Sequence, residues 1–314
     1  MIPSRDKLAE LFAEMQRVEK SRSEYAEVRI QRVYKAMLKE LREFLGSEYA
    51  KYAEDDVLSY STLIRNSRYA RFIEEVQKKV NARFLESSEI ITALVTDTYG
   101  IAYAGMVHAV SSAINNETLA TLLGGLELTR PEVIKAAVNN PISKLTLPRT
   151  LEKNRKQIIH RIKTTITNGL LNGDRMSTMA ERIKKDVDIS YRKSILIART
   201  ETHRVRETGH NDASADIDKV LQEEGSSYRM VKKWRTMRDE VVRHTAKADH
   251  RKMHGVIVPQ DADFDLGRGV FAPCPGQSGT PYNDCNCRCY VSHDFMSDEE
   301  LFRATGKHFA DFAT

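Results

Sequence analysis

The sequence predicts a mostly α N-terminal region of long helices, followed by a small α+β C-terminal domain with a few short strands. Three observations carry that expectation: long proline-free stretches with apolar residues at helical spacing, a change of texture after Gly225, and four cysteines confined to sixteen residues. From residue 4 to 53 there is no proline and a single glycine, Gly46. Leu8, Leu11, Phe12, Met15 and Val18, then Tyr34, Met37, Leu38, Leu41 and Leu45, recur at the spacing of one long helix or two. A second helical stretch runs over 56–86, with Leu63, Ile64, Ile73, Val76 and Val80 on its apolar side.

Residues 90–114 differ in character. Asp97 and His108 are the only acid, base or His side chains there, and small residues (Ala93, Gly100, Ala102, Ala104, Gly105, Ala109) are frequent. The length would span a bilayer, but Thr96, Asp97, Thr98, Ser111 and Ser112 dilute the apolar character. A buried core helix is the main reading, and membrane contact of 90–114 the other. Pro131, Pro141 and Pro148 then mark a boundary near residue 145. Beyond it Leu151, Ile158, Ile159, Ile162, Ile166 and Leu170 form an apolar stripe. Asn172-Gly173-Asp174 is a turn. Thr178 with Glu181 fits a capping box for a short helix through Lys185, and Ser190 fits the cap of the next, which reaches about Val220.

After Gly225 come β-prone runs at 228–236 and 256–258, a Gly/Pro-rich stretch at 267–282, and an alternation over 286–292. That alternation puts Cys287, Cys289 and Val291 on one face and Arg288 and Tyr290 on the other. A chain of 314 residues suits more than one domain. The expected partition is a helical domain at 1–145, a second domain at 146–295 (helices over 150–220, an α+β module over 226–292), and a helical tail at 296–314. Residues 1–20 carry charges every few positions and no apolar core, which reads as synthesis in the cytoplasm without an export signal.

The net charge of +5 is unevenly spread. Lys and Arg against Asp and Glu number 20 against 20 in 1–145, 15 against 7 in 146–210, and 14 against 17 in 211–314. An excess confined to one stretch suits a local phosphate-facing surface, with solvated helix faces as the bland alternative. Arg155, Lys156, Arg161, Lys163, Lys184 and Lys185 are the candidates for contact with double-stranded DNA. No base-reading module is evident, so such contact would be non-specific.

The chemistry-bearing residues cluster late. Arg199 and Glu201 are two apart on a helix, about 200° round from one another, and so reach different partners, Arg199 a carboxylate such as Asp239. This pair reads as a structural clamp. His250 and His254 would share a face if their segment is helical, but no Glu follows the first, so the metalloprotease reading fails. Cys274, Cys285, Cys287 and Cys289 leave three readings open: structural Zn2+ held by two or more thiolates with His244 or His254, a disulfide from Cys274, or free thiols. The rival from another class is a metal-dependent nuclease that uses the His/Asn/Asp cluster at 239–283: Asp239, His244, His250, His254 and Asn283.

In order, Ala198-Arg199-Thr200-Glu201, Trp234-Arg235-Thr236, Asp239, Arg243-His244, His254-Gly255 and Asn286-Cys287-Arg288-Cys289 resemble the phage Mu F-like, or phage head morphogenesis, family over residues 150–292. The sequence departs from the pattern at Val241-Val242-Arg243, where the family has Thr-Arg, and in the additional Cys274 and Cys285. No metal site is therefore carried over. The resemblance implies a non-enzymatic minor capsid protein of a tailed phage or prophage, in the capsid interior or at the portal vertex. Its partners would be the portal protein, capsid or scaffold proteins and packaged DNA, and it could be ejected with the genome. Arg199, Glu201, Trp234, Asp239, Arg243 and Asn286 would hold the module together. An ADP-ribosylating toxin, suggested by Arg199-Thr200-Glu201, is the weaker enzyme reading, since only about twenty residues follow the module.

Overall fold

The computed structural model describes residues 4–65, 67–114, 116–126, 131–140 and 145–312; Pro141, counted above as a boundary marker, lies outside them. The helical part comprises α1 (Arg5–Tyr52), α2 (Tyr60–Arg65), α3 (Tyr69–Ala113), α4 (Glu117–Gly124), α5 (Pro131–Asn139), α6 (Leu147–Asn172) and α7 (Met176–Glu223). Then follow β1 (Tyr228–Arg235), β2 (Ile257–Pro259), β3 (Phe264–Asp265), β4 (Phe271–Ala272), α8 (Pro281–Asp284), β5 (Tyr290–Ser297) and α9 (Asp298–Thr305), with 3-10 turns at His250–Met253 and Phe309–Phe312. Long helices followed by a few short antiparallel strands are the fold class the sequence predicts.

Two expected helix boundaries are absent. α3 runs unbroken through Ala113, so the 56–86 stretch and the 90–114 stretch share one helix, and the break falls earlier, where Ser67 takes a φ of 52°. α7 is a single helix of 48 residues. Ser190 does not cap it midway, because its side chain is buried and its hydroxyl meets the Tyr34 hydroxyl at 3.1 Å. No glycine or proline intervenes between 176 and 208 to stop the helix. The helix ends at Gly225 (φ 65°), with Ser226 N–H bonded to Leu221 C=O at 2.9 Å and Gly225 N–H to Gln222 C=O at 3.1 Å, the two bonds of a Schellman motif.

The chain gathers into two compact units. One unit comprises Glu24–Ala93 and Leu147–Ala198. Its core is made of helical stripes: Ile30, Met37, Leu41 and Leu45 from α1, Val76, Val80 and Phe84 from α3, Ile158, Ile162 and Ile166 from α6, and Ile183 and Val187 from α7. Within this core the Tyr34 hydroxyl meets Ser194 Oγ at 2.7 Å, and the Asn154 amide donates to the same oxygen at 3.1 Å. These buried polar groups satisfy one another, and so do not carry the cost of unpaired burial.

The other unit comprises the described residues of Met1–Ser23, Leu94–Thr146 and Arg199–Thr314. Here α3 contributes buried Tyr99, Ala102, Tyr103, Met106 and Val110, the positions of a core helix. By length and composition α3 is apolar enough to cross a membrane, and 56% of its most apolar window is buried within the protein. Tyr99 and Tyr103 donate to Asp212 and Asp216 of α7 at 2.6 Å each, two rungs at i, i+4 on both helices. The helices cross closely at Gly209, where an added Cβ would lie 2.7 Å from the Tyr99 carbonyl oxygen.

The sheet of this unit has the antiparallel order β2-β1-β5, with Trp234 opposite Val291 and Lys232 opposite His293 and Val258. β3 and β4 pair separately. Alternation places Met230 and Trp234 on the buried face of β1 and Val291 and Phe295 on that of β5. A small core forms from Trp234, Met253, Val258, Phe264, Cys274, Cys287, Cys289 and Val291. Trp234 packs edge-on to Phe264 at 5.1 Å between ring centroids and to His250 at 5.8 Å. The tail is helical at α9, with Ser297 and Glu300 in a capping box.

Candidate functional site

The late motifs converge on the 3-10 turn His250–Met253 and the loop that leads into β5. Asp249 caps the turn, accepting from Arg251 N–H at 3.2 Å. The His250 N–H donates to the Arg243 carbonyl at 2.9 Å. The Arg243 guanidinium in turn donates to the backbone carbonyls of Asn283 and of Cys285, the latter at 2.6 Å. One residue thus clamps the His250 turn to the loop that carries the cysteines.

His250 Nδ1 lies 3.6 Å from Cys287 Sγ and 3.5 Å from Cys289 Sγ. All three residues are buried, and the three donor atoms lie within 4.8 Å of one another. On its other side, His250 Nε2 meets Asn283 Oδ1 at 3.0 Å, while the Asn283 amide donates to Thr280 Oγ1 at 2.9 Å. That chain of bonds orients the amide and puts the imidazole proton on Nε2, leaving the Nδ1 lone pair toward the sulfurs.

His203, on the buried face of α7, opposes the rise of the Cys287 thiol, and Trp234 adds to the lowering of Cys289. His203 Nε2 and Trp234 Nε1 have no oxygen or nitrogen partner. The Cys289 thiol sits below the usual range, chiefly through a hydrogen bond with Cys287 and against the effect of burial. Cys287 is pushed up by that same bond and by burial. The two thiols are thus inequivalent, Cys289 being the more acidic.

The other predicted ligands are elsewhere. His244 is exposed and pairs with Asp249 at 3.1 Å. His254 follows the 3-10 turn in extended backbone, not a helix, so it does not share a face with His250; its Nδ1 accepts from Thr236 N–H at 3.1 Å. Cys274 is fully buried in the small core, where desolvation raises its thiol, and Cys285 is half-buried beside Arg243. All four thiols are unpaired, so no disulfide links Cys274 to the others.

The motif residues divide between buried and exposed positions. Thr200 Oγ1 accepts from Asn286 N–H at 3.1 Å, and Asn286 takes a left-handed φ of 57°. Glu201 pairs with buried Arg204 at 2.9 Å, while Arg204 also donates to the carbonyls of Ala137 and Val138. Asp239 pairs with Arg288 at 2.7 Å, which holds its carboxyl below the usual range. Arg199 is exposed on α7.

The basic candidates all lie in the unit of Glu24–Ala93 and Leu147–Ala198. Lys156, Arg161 and Lys163 on α6 and Lys184 and Lys185 on α7 are exposed. Arg155 is half-buried, bonded to Glu152 and Asn81 at 2.6 Å each. On α6 a shallow cavity of 730 Å³ has Arg149, Lys153, Lys156, His160 and Arg161 in its lining against one acid, Glu152.

Residues 160–292 match the family described as Phage Mu protein F like protein. Minor head protein GP7 of Bacillus phage SPP1 is 30% identical over 264 residues, which cover 84% of this chain and 80% of that protein. The chain belongs to the phage Mu F-like head morphogenesis family. Its place is the virion, assembled in the host. An NAD(+)--arginine ADP-ribosyltransferase EFV of Enterococcus faecalis is 24% identical over 88% of this Mu F-like chain, which spans only 53% of that enzyme. No solved structure matches.

Sequence reasoning about this Mu F-like module missed His203 and Arg204, which follow the Ala198-Arg199-Thr200-Glu201 motif after Thr202. The buried-face spacing of Thr200, His203, Arg204 and Glu207 on one helix is the signal that could have found them. It also missed Glu207, whose carboxylate accepts from Val291 N–H at 3.0 Å and so joins α7 to β5.

Proposed function

We propose that this Mu F-like protein is a minor head component that sits near the portal vertex and contacts the portal and the capsid or scaffold proteins. In this reading it also touches packaged double-stranded DNA without sequence preference and leaves the capsid with it. Likeness to a minor head protein over most of both chains carries the structural role. The exposed lysines and arginines of α6 and α7 support the DNA contact, since phosphate neutralisation needs cations and no motif. We read the chain as dividing by role at about residues 145 and 295, with its helices as docking elements and the α+β module as a staple.

A salt series tests the DNA contact. Each phosphate neutralised contributes about −0.9 to the slope of log affinity against log salt, so Lys156→Glu, Arg161→Glu and Lys163→Glu together should flatten it by about 3. A flat response in the wild type would eliminate DNA contact. Mass spectrometry of full virions against emptied capsids tests ejection: equal amounts in both would refute it.

We read the protein as non-catalytic. Of the nuclease residues only His250 and Asn283 meet, at 3.0 Å; the others are engaged elsewhere, His244 with Asp249, His254 with Thr236 and Arg238, Asp239 with Arg288. Plasmid cleavage with magnesium, manganese or zinc that disappears in His254→Ala would reverse this. The transferase likeness falls on largely the same residues as the minor-head likeness, which supports a shared head-protein part. A structural Zn2+ at the His/Cys cluster belongs to this proposal.

A further inference from the structure

Two cysteine sulfurs stand at nearly one distance from one imidazole nitrogen, 3.6 and 3.5 Å. A single lone pair accepts one S–H proton, so a thiol–imidazole hydrogen bond accounts for one of these approaches and not for both. A metal ion accounts for both. With Zn–S of about 2.3 Å and Zn–N of about 2.0–2.1 Å in tetrahedral geometry, a nitrogen and a sulfur ligand lie about 3.6 Å apart. Both N···S edges already have that length.

The surroundings are those of a ligand set. Metal-bound imidazoles commonly donate their other N–H to a carbonyl, which fixes ring and tautomer. The Asn283 Oδ1 at 3.0 Å from Nε2 does this for His250. His203 Nδ1 accepts from Arg206 Nη2 at 3.0 Å; an arginine only donates, so the neutral His203 ring carries its proton on Nε2. That N–H has no hydrogen-bond partner. His203 thus offers no free lone pair and is not itself a ligand. The cluster also opens to one side: His250, Cys287 and Cys289 line a cavity of 290 Å³ that carries Arg243 and Arg288 against one acid, Glu240.

We propose that His250 Nδ1, Cys287 Sγ and Cys289 Sγ hold a Zn2+ ion whose fourth position faces the Arg243–Arg288 cavity and is filled by water or a small anion. This rests on the zinc reading above and sharpens it: three protein ligands with an exchangeable site, not a closed four-ligand staple. Cys274 and Cys285 are outside the centre.

The test uses the full chain loaded with Zn2+, and separately with Co2+, then challenged with azide as the anion probe. About one metal per chain is expected, with thiolate-to-cobalt charge-transfer absorption that azide perturbs. Cys287→Ser and Cys289→Ser should each weaken that absorption, Cys274→Ser and Cys285→Ser should leave it, and Asn283→Ala should cost about 10–100-fold in affinity. His203→Gln should keep the stoichiometry. Should the cysteine variants not fold, thiol titration of the native wild type decides, with two thiols becoming reactive only when a chelator is added. Less than about 0.2 metal per chain, with all native thiols reactive, removes the zinc reading and this proposal together. Full stoichiometry with an azide-silent spectrum, and metal lost in His203→Gln, leaves the zinc reading but refutes the open position.

Discussion

The hydroxyl of Thr200 on α7 accepts the backbone N–H of Asn286 at 3.1 Å, across 86 residues of sequence. It joins the helix that carries Glu201 and His203 to the loop that carries Cys287 and Cys289. Thr200→Val keeps the shape and leaves that N–H without a partner, which should cost about 1–3 kcal/mol; Thr200→Ser should cost less. The denaturant midpoint at unchanged m-value measures the difference. Equal midpoints for the two variants would show that the bond carries no stability.

Gly209 should reverse the usual sign of a helical glycine. Glycine to alanine inside a helix ordinarily gains about 1 kcal/mol. Here the added Cβ would lie 2.7 Å from the Tyr99 carbonyl oxygen and 3.0 Å from Ala102 Cβ, and backbone cannot yield as a flexible side chain does. Gly209→Ala should therefore destabilise by about 1–3 kcal/mol. A raised Tm would show that α3 and α7 are free to separate.

Arg204 is almost wholly buried with Glu201 and two backbone carbonyls. Arg204→Ala strips a buried carboxylate and both carbonyls of their donor, a change that costs about 3–5 kcal/mol in comparable buried pairs. Unfolding in urea should show a loss of that size. Glu201→Gln should cost less, because the amide oxygen still accepts from the guanidinium.

How much of this was legible in sequence depends on the kind of signal. Stripes such as Ile158–Ile162–Ile166 predict α6 because a 3.6-residue period has one structural outcome. Caps do not behave so: Ser190 has the chemistry of a cap, but its hydroxyl is taken by Tyr34, 156 residues away, and no local rule sees that partner. β1 is legible from its β-prone run, whereas β3 and β4, two residues each, lie just before and within the Gly/Pro-rich stretch and are too short to show a period. At the site, the cysteine cluster is evident but its division is not. Cys287 and Cys289 project together because alternate residues share a face, and which histidine meets them is decided by a 3-10 turn that replaces the helix expected over 250–254.

His293 should tie stability to pH. Its ring is buried in β5, both nitrogens lack a partner, and it shares its surroundings with His210 and Lys232. Burial, then those two neighbours, hold its pKa well below the ordinary value. Below about pH 6.5 the unfolded chain binds a proton that the folded chain refuses. The stability this residue contributes is thus present above that pH and lost as pH falls toward the folded value. The slope is at most about 1.4 kcal/mol per pH unit. Thermal melts from pH 7.5 down to 5.5 should show a falling Tm. His293→Gln, which cannot take the proton, should melt with a flatter profile. Buried His203, also depressed, leaves some slope in that variant. If the two profiles stay parallel throughout, His293 is not the group that titrates.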